Sequence, residues 1–477
     1  MKITVRGSTA LYTVEQLCQM LLPSLEGNCI CRVSRSGGMV YAACRMETAS
    51  GSTSASSRHK LTQDEHTNVN LERRTLARAV YRAALVHLGK EPAWGMLSGV
   101  RPAKLVRAHL ERGGTQQGAT TFLEREYFVS PQKSALCAKA GKIAADVHKS
   151  LQKGDFSLYA HIPFCPSRCT YCSFISAAGD AFRRWGGDYF RCLLEELAML
   201  RRFREEHAMR ARSVYIGGGT PAVYAPAELL RLCKAIQDTC GKTPEEFTVE
   251  AGRPDAITAE KLAALRLGGV TRVCVNPQTM NDQTLRLIGR AHTAEDTLRA
   301  FHLAREAGFR EINCDLIAGL PGEDAADFHR SLNRVLSLDP ENITVHTLAR
   351  KRGSTFHELQ EESTPPEVIT EMLADAESLL TAAGYSPYYL YRQKYTGGGF
   401  ENIGWAKPGH ICLYNVSMME EIGDIFSAGA GAVTKLTSGQ FTRFTNPKYP
   451  AEYIASTDRL EARSRELCAY YQDCSVY

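Results

Sequence analysis

The sequence predicts an α/β protein in three parts: a mostly helical α+β section over residues 1–150, a parallel sheet wound with helices over 151–385, and a strand-containing C-terminal region over 386–477. Two observations predict it. Between residues 155 and 349, six short apolar runs alternate with helix-patterned segments, the layout of repeated βα units. The flanks lack that layout: helical spacing dominates before residue 151, and the chain turns glycine-rich after Tyr388.

Taken in order, residues 1 to about 46 alternate short apolar runs such as CICRVS and MVYAACRM, which predicts a small strand-containing unit. Residues 47–62, ETASGSTSASSRHKLT, are rich in Ser and Thr without apolar periodicity and are expected to form a flexible loop or linker. Helical spacing runs from Leu71 to Leu110 and again from Pro131 to Leu151. Strands are then expected at SLYAHIPF (157–164), ARSVYIGG (211–218), FTVEAG (247–252), TRVCVNPQ (271–278), EINCDLIAGL (311–320) and ENITVHTLA (341–349). Helices are expected between them and once more after the sixth, near residues 366–383. Right-handed crossovers then give either an open doubly wound sheet or an incomplete barrel. In both, ligands collect at the carboxyl ends of the strands.

Composition excludes several classes. The 57 basic and 52 acidic side chains are spread along the chain without runs of like charge, which argues against a nucleic-acid or other polyanion partner. No stretch approaches the roughly 18 apolar residues of a membrane span, and the amino terminus lacks the layout of a secretory signal. A cytoplasmic protein is expected. Its 16 cysteines then belong to a reducing compartment, as buried, catalytic or metal-bound thiols. Cys192, Cys233, Cys240, Cys274 and Cys314 sit inside apolar patterns and read as core thiols.

The sharpest signal is the segment Tyr159-Ala-His-Ile-Pro-Phe-Cys165-Pro-Ser-Arg-Cys169-Thr-Tyr-Cys172-Ser-Phe. Three cysteines follow the first strand, with three and then two residues between them, on a loop able to wrap soft thiolate ligands around a metal centre. Three ligands rather than four leave one coordination position open to a reactant. Zinc held by these cysteines and His161 is the other reading of the same residues, although zinc sites favour paired C-x-x-C arms.

This C-x-x-x-C-x-x-C segment resembles that of the radical SAM superfamily, and Y-x-H-I-P-F-C with Y-C-x-F resembles its oxygen-independent coproporphyrinogen dehydrogenase branch. The likeness continues through Gly217-Gly218-Gly219-Thr220-Pro221, Val249-Glu250-Ala251, Asn276-Pro277-Gln278-Thr279, Ile288-Gly289-Arg290-Ala291-His292-Thr293 and Asn313-Cys314-Asp315-Leu316-Ile317-Ala318-Gly319-Leu320-Pro321-Gly322. It covers about residues 155 to 435, and with Ser98-Gly99-Val100-Arg101-Pro102 the chain is most similar to the HemZ-type members.

The resemblance implies an incomplete parallel (βα)6 barrel of radical SAM type, with an N-terminal accessory domain and a C-terminal region covering the active site. It implies a [4Fe–4S] cluster on Cys165, Cys169 and Cys172. S-adenosylmethionine (SAM) would be lined by Tyr159, Tyr171, Gly218, Gly219, Thr220, Glu250, Gln278, Arg290, Asp315, Thr347 and Val433. The implied reaction takes a hydrogen atom from a propionate side chain of coproporphyrinogen III; loss of CO2 and one electron leaves a vinyl group, and two such rounds give protoporphyrinogen IX. An electron donor and an acceptor, both unidentified, are required, and no side chain is assigned as catalytic. Cations for the four substrate carboxylates are sought among Arg183, Arg184, Arg350, Lys351, Arg352, Arg392, Lys394 and Lys407.

Two residues separate this chain from the best-known dehydrogenases and from their relatives. Phe174 stands where those dehydrogenases carry a fourth cysteine, a form seen in the family's haem chaperones. Those chaperones in turn show His-Asn-x-x-Tyr-Trp in the tail, where this chain reads Tyr414-Asn415-Val416-Ser417-Met418-Met419. A haem-binding and transfer function without dehydrogenase activity is therefore the alternative to the enzyme.

Overall fold

The computed structural model describes residues 1–172, 177–349, 364–393 and 399–474. Phe174, residues 350–352 and Lys394 lie outside that set. The chain forms two compact units, Met1–Lys142 with Tyr391–Glu401, and Ile143–Leu390 with Asn402–Tyr477. The divisions read from the sequence, at 150 and 385, differ from these because one helix spans the first boundary and residues 391–401 return to the first unit.

In the first unit, β1 (Lys2–Arg6), β2 (Asn28–Ser36), β3 (Met39–Thr48) and β4 (Gly51–Lys60) form a sheet in that order. Helices α1 (Leu11–Leu21) and α2 (Glu65–Leu88) belong to the same apolar core as β2 and β3. The expected linker at 47–62 is thus a β-strand. Its inward positions are Thr53, Ala55, Ser57 and His59, too small or polar to register as an apolar alternation. They fit because α2 lies close: Thr53 Oγ1 donates to the Ala83 carbonyl at 3.2 Å and His59 Nδ1 meets Thr75 Oγ1 at 2.9 Å. Asp64 caps α2 by accepting from the backbone N–H groups of His66 and Thr67. Helices α3 (Ala103–Glu111), α4 (Gln116–Tyr127) and α5 (Pro131–Lys149) follow.

The thiols of Cys29, Cys31 and Cys44 converge within 4.8 Å in this unit, with Cys29 Sγ 3.6 Å from Cys44 Sγ and 3.8 Å from Cys31 Sγ. They share a core with Val14, Leu17, Val40 and Ala42. As thiols they are small apolar fillers; as metal-bound thiolates they would carry negative charge into an apolar layer, so packing is their role.

Arg392, sought above as a substrate cation, is buried in this unit. Its guanidinium donates to the carbonyls of Leu97 and Gly399 and lies over the Trp94 ring, so it is structural.

The second unit holds the run of parallel strands. In chain order its elements are β5 (Asp155–Ile162), β6 (Phe164–Cys165), β7 (Ala177–Ala178), α6 (Ala181–Glu206), β8 (Arg210–Gly218), α7 (Pro226–Cys240), β9 (Glu246–Gly252), α8 (Ala259–Leu267) and β10 (Arg272–Val275). Then come α9 (Asp282–Leu287), α10 (Ala294–Glu306), β11 (Glu311–Ala318), α11 (Ala325–Leu336), β12 (Asn342–Thr347) and α12 (Pro366–Ala382). Strands β5, β8, β9, β10, β11 and β12 are neighbours in that order, and every pairing among them is parallel, as the six apolar runs predict. The alternation of short apolar strands with amphipathic helices produces this arrangement because each helix buries its apolar face on the sheet as it crosses back.

The tail extends the sheet at both edges. Beyond β12 come β13 (Ser386–Arg392) and β14 (Glu401–Ala406), with β14 antiparallel to β12. Helix α13 (Leu413–Glu420) leads to β15 (Asp424–Ala428), which pairs parallel with β5 and is followed by β16 (Val433–Leu436) and β17 (Thr442–Thr445). Helices α14 (Pro450–Ala455) and α15 (Arg459–Cys474) end the described chain. Lys407 follows β14 at the amino end of β12, where its Nζ sits 2.7 Å from Asp339 Oδ1 and its N–H bonds the Glu341 carbonyl. It stands at the end of the strands opposite the one where ligands gather, which removes it from the substrate cations.

Three charges tie the amino ends of β9, β10 and β11. Arg272, 4% exposed, donates to Glu246 at 2.6 Å and Glu311 at 3.1 Å, and to the carbonyls of His410 and Ile411. Glu246 also accepts the N–H groups of Leu413 and Tyr414, which fixes the start of α13. Replacing Arg272 by Met leaves a buried carboxylate unpaired and is expected to cost about 3 to 5 kcal/mol of stability. Urea denaturation of the two proteins checks this, and a difference below about 1 kcal/mol would contradict it.

Candidate functional site

The cysteine loop leaves β5 at its carboxyl end. Phe164 and Cys165 pair with Ala177 and Ala178 in the short β6–β7 ladder, which pins the first thiol. The next two are set by backbone bonds: the Thr170 N–H donates to the Ile288 carbonyl at 3.1 Å, and the Cys172 N–H to the Cys169 carbonyl at 3.1 Å. Cys165 and Cys169 are buried and Cys172 is half-buried. Burial, with the other two thiols near it, pushes the Cys165 thiol up to about 12, while Arg253 and Arg290 pull against that rise. Two guanidinium groups thus face these thiols.

The glycine turn at the end of β8 grips this loop. The Gly219 N–H donates to the Ile162 carbonyl at 2.6 Å and the Thr220 N–H to the Phe164 carbonyl at 2.8 Å. A Cβ on Gly219 would lie 2.2 Å from the Phe164 carbonyl oxygen, and one on Gly218 would lie 2.8 Å from the His161 ring. Gly218 also has φ +110°, a conformation side chains resist. The glycines are therefore required by the chain's own close approach as well as by any ligand's. The Thr220 hydroxyl is fully buried and donates to the Ala251 carbonyl at 2.7 Å, joining the ends of β8 and β9.

Asp315 on β11 comes near enough to Glu250 on β9 to raise its proton affinity. Burial, and then Asp315, push Glu250 up to about 8, with the Gly218 N–H and Arg290 opposing. Burial would raise Asp315 too, but hydrogen bonds from His346, Asn313 and Thr344 hold it below the usual carboxylate range. Asn313 Nδ2 donates to Asp315 Oδ1 at 2.7 Å, and His346 Nε2 lies 3.6 Å from Oδ2. Between these strands, Gln278 exchanges backbone hydrogen bonds with Asp315 and Ile317 while holding φ +69°. A left-handed glutamine stores strain of about 1 kcal/mol or more, a feature that gathers at functional positions.

Arg290 and Tyr171 are brought together. The guanidinium donates to the Tyr171 hydroxyl at 3.2 and 3.3 Å and to the Asn276 carbonyl at 2.9 Å, linking the cysteine loop to the end of β10. Tyr159 donates to or accepts from His161 Nδ1 at 3.1 Å and stacks on Tyr414. Thr347 ends β12, its N–H bonded to Asn402 Oδ1 at 2.8 Å. Val433 starts β16, two strands beyond β5 in the sheet.

Among the substrate cations, Arg183 is highly exposed beside Asp180 and Arg184 stacks on Trp185. Sequence reasoning missed Arg253, whose guanidinium reaches the cysteine loop, and singled out Tyr414 for the histidine it replaces but not for its ring stacking on Tyr159 and Tyr215. The signal for Arg253 was Arg-Pro-Asp directly after the strand-end Glu250-Ala251-Gly252.

The residues fit an iron–sulfur cluster better than a single ion. Tetrahedral zinc with sulfur at about 2.3 Å draws its thiolates to about 3.8 Å from one another. Three soft thiolates on one loop are the donor set that iron–sulfur clusters use, and among the described residues only Cys29, Cys31 and Cys44 bring three ligand atoms within 4.8 Å of one another. His161 gives Nδ1 to Tyr159 rather than to the loop. The sulfonium and ammonium groups of SAM in turn suit the adjacent acidic side chains of Glu250 and Asp315.

The radical SAM superfamily profile matches residues 159–335. The chain is 37% identical over 397 residues to the oxygen-independent coproporphyrinogen-III oxidase-like protein HemZ of Bacillus subtilis, covering 81% of this chain and 78% of that one. It is 31% identical over 305 residues to the heme chaperone HemW of Haemophilus influenzae, covering 62% of this chain and 75% of that protein. Coproporphyrinogen III oxidase (HemN) of Escherichia coli shares the fold, with TM-score 0.53 and 22% identity over 66% of this chain and 71% of that one. Among the described residues no helix is long and apolar enough to cross a membrane. With its incomplete barrel, its cysteine loop and these relatives, the chain belongs to the radical SAM superfamily, in the family that contains HemZ, whose cofactors are a [4Fe–4S] cluster and SAM.

Proposed function

We propose that the protein is a cytoplasmic oxygen-independent coproporphyrinogen III dehydrogenase, turning two propionates into vinyl groups, with Cys165, Cys169 and Cys172 holding the cluster. When bound and reduced by a donor, the cluster and SAM supply a carbon radical able to take hydrogen from an unactivated C–H bond. Glu250 and Asp315 attract the cationic groups of SAM, and Arg290, fixed by Tyr171 and the Asn276 carbonyl, offers a guanidinium to its carboxylate. Gly219 and Thr220 hold the turn against the cysteine loop, so the residues that would meet SAM are tied to those that would hold the cluster. Arg183 and Arg184 remain as described cations for substrate carboxylates.

The observation that carries the enzyme reading over the chaperone is Tyr414. It stands at the position of the chaperone histidine, 4% exposed, with its ring stacked on Tyr159 and Tyr215, so that position offers no axial imidazole to haem. Anaerobic protein with SAM and a strong reductant is expected to release CO2 and 5′-deoxyadenosine from coproporphyrinogen III and to bind added haem only loosely. Tight stoichiometric haem binding without turnover would replace this reading with the chaperone. Gly218→Val, which drives a side chain into His161 and the Ile162 carbonyl, is expected to remove turnover, measured as CO2 release.

A further inference from the structure

We infer that Arg253 is a positioning residue that clamps the cysteine loop and, through its charge beside Cys169, makes the cluster easier to reduce. The inference rests on Cys169 being a cluster ligand and is independent of the substrate's identity.

Arg253 follows β9 by one residue and is 4% exposed. One edge of its guanidinium is held by Asp255 in a fork, Nε to Oδ1 at 3.1 Å and Nη2 to Oδ2 at 2.9 Å. The free corner, Nη1, points into the cysteine loop: it donates to Ser167 Oγ at 2.9 Å and lies 3.4 Å from the Ser167 carbonyl and 3.9 Å from Cys169 Sγ. Only a planar guanidinium can hold a carboxylate with two nitrogens and aim the third group elsewhere, so Lys would keep the charge but lose the fork. A fixed positive charge at a ligand sulfur stabilises the state with one more electron, and charge and hydrogen bonding at the sulfurs are among the levers on cluster potential. Arg290 donates to Tyr171 and Asn276, and it is Arg253 whose guanidinium is hydrogen-bonded to a loop thiol.

The test compares wild type, Arg253→Met and Arg253→Lys by anaerobic reconstitution, iron and sulfide analysis, thermal melting, and redox titration followed by electron paramagnetic resonance without SAM. At one fixed poise, Arg253→Met is expected to lower the reduced-to-oxidised ratio about tenfold, a midpoint about 59 mV more negative for one electron. Arg253→Lys is expected to stay within about twofold of wild type. An unchanged midpoint in Arg253→Met overturns the inference. If Arg253→Met folds yet holds no cluster, retention in Arg253→Lys supports the charge, and loss in both overturns it. Wild type without iron would instead reject the cysteine assignment itself, a separate failure.

Discussion

Replacing any one of Cys165, Cys169 or Cys172 with Ala is expected to take the iron and sulfide content from four of each per chain to near zero, and the visible thiolate-to-iron absorbance with it. In the proposed site each thiolate would complete the coordination of one iron and the fourth iron would lack a protein ligand, so a second gap would leave the cluster held at two corners. The loop cannot lend a substitute. Cys165 is fixed by the β6–β7 ladder, and Cys169 and Cys172 by the bond between them and by that of the intervening Thr170 N–H to the Ile288 carbonyl. Two controls separate ligand loss from general damage. Cys192→Ala and Cys31→Ala remove thiols that are 3% and 0% exposed, and both should keep full iron. Iron retained in Cys169→Ala, or lost in Cys31→Ala, would show that the ligands are not those proposed.

What the sequence made legible follows from how local its signals are. A strand such as ARSVYIGG and a helix such as that over Ala325–Leu336 each declare themselves within a dozen residues, because apolar period is fixed by one element's own geometry. The cysteine loop is equally local. The strand Gly51–Lys60 was illegible for the opposite reason: Ser and Thr line its inner face only because α2 and its hydroxyl-bearing Thr75 lie above them, a fact about a distant segment. The same holds within the site. Nothing near Arg392 or Lys407 in the chain says that one lies beneath Trp94 and the other at the amino end of the barrel. Arg253 is the reverse case, a residue read as ordinary whose importance depends on reaching Ser167 and Cys169 some eighty positions earlier. Tyr414 was found for what it replaces; its stacking with Tyr159 and Tyr215 required the fold.

The affinity for SAM is expected to rise with pH, about tenfold per unit between pH 6 and 8, and to level off above. Free protein holds Glu250 protonated at neutral pH, because burial and Asp315 push it up to about 8. Pairing with a sulfonium or ammonium requires the carboxylate, so binding below that value must first expel the proton, at 1.36 kcal/mol per unit. Once in place, the cation offsets the burial and the Asp315 charge that otherwise disfavour the Glu250 carboxylate. Glu250→Gln keeps shape and removes the titration. It should bind SAM about 1 to 3 kcal/mol more weakly at pH 8, with the Glu250 slope gone, while the cluster stays assembled. The amino group of SAM titrates too, but equally in both proteins, so the difference between the two slopes belongs to Glu250. Folding responds in the same sense. A carboxyl raised in the folded state stabilises most below its ordinary unfolded value of about 4.5, and that contribution is lost as pH climbs through about 8. Urea midpoints of wild-type apoprotein should therefore fall across that window more steeply than those of Glu250→Gln. Calorimetry giving both proteins one and the same pH slope for SAM would take Glu250 out of the binding site.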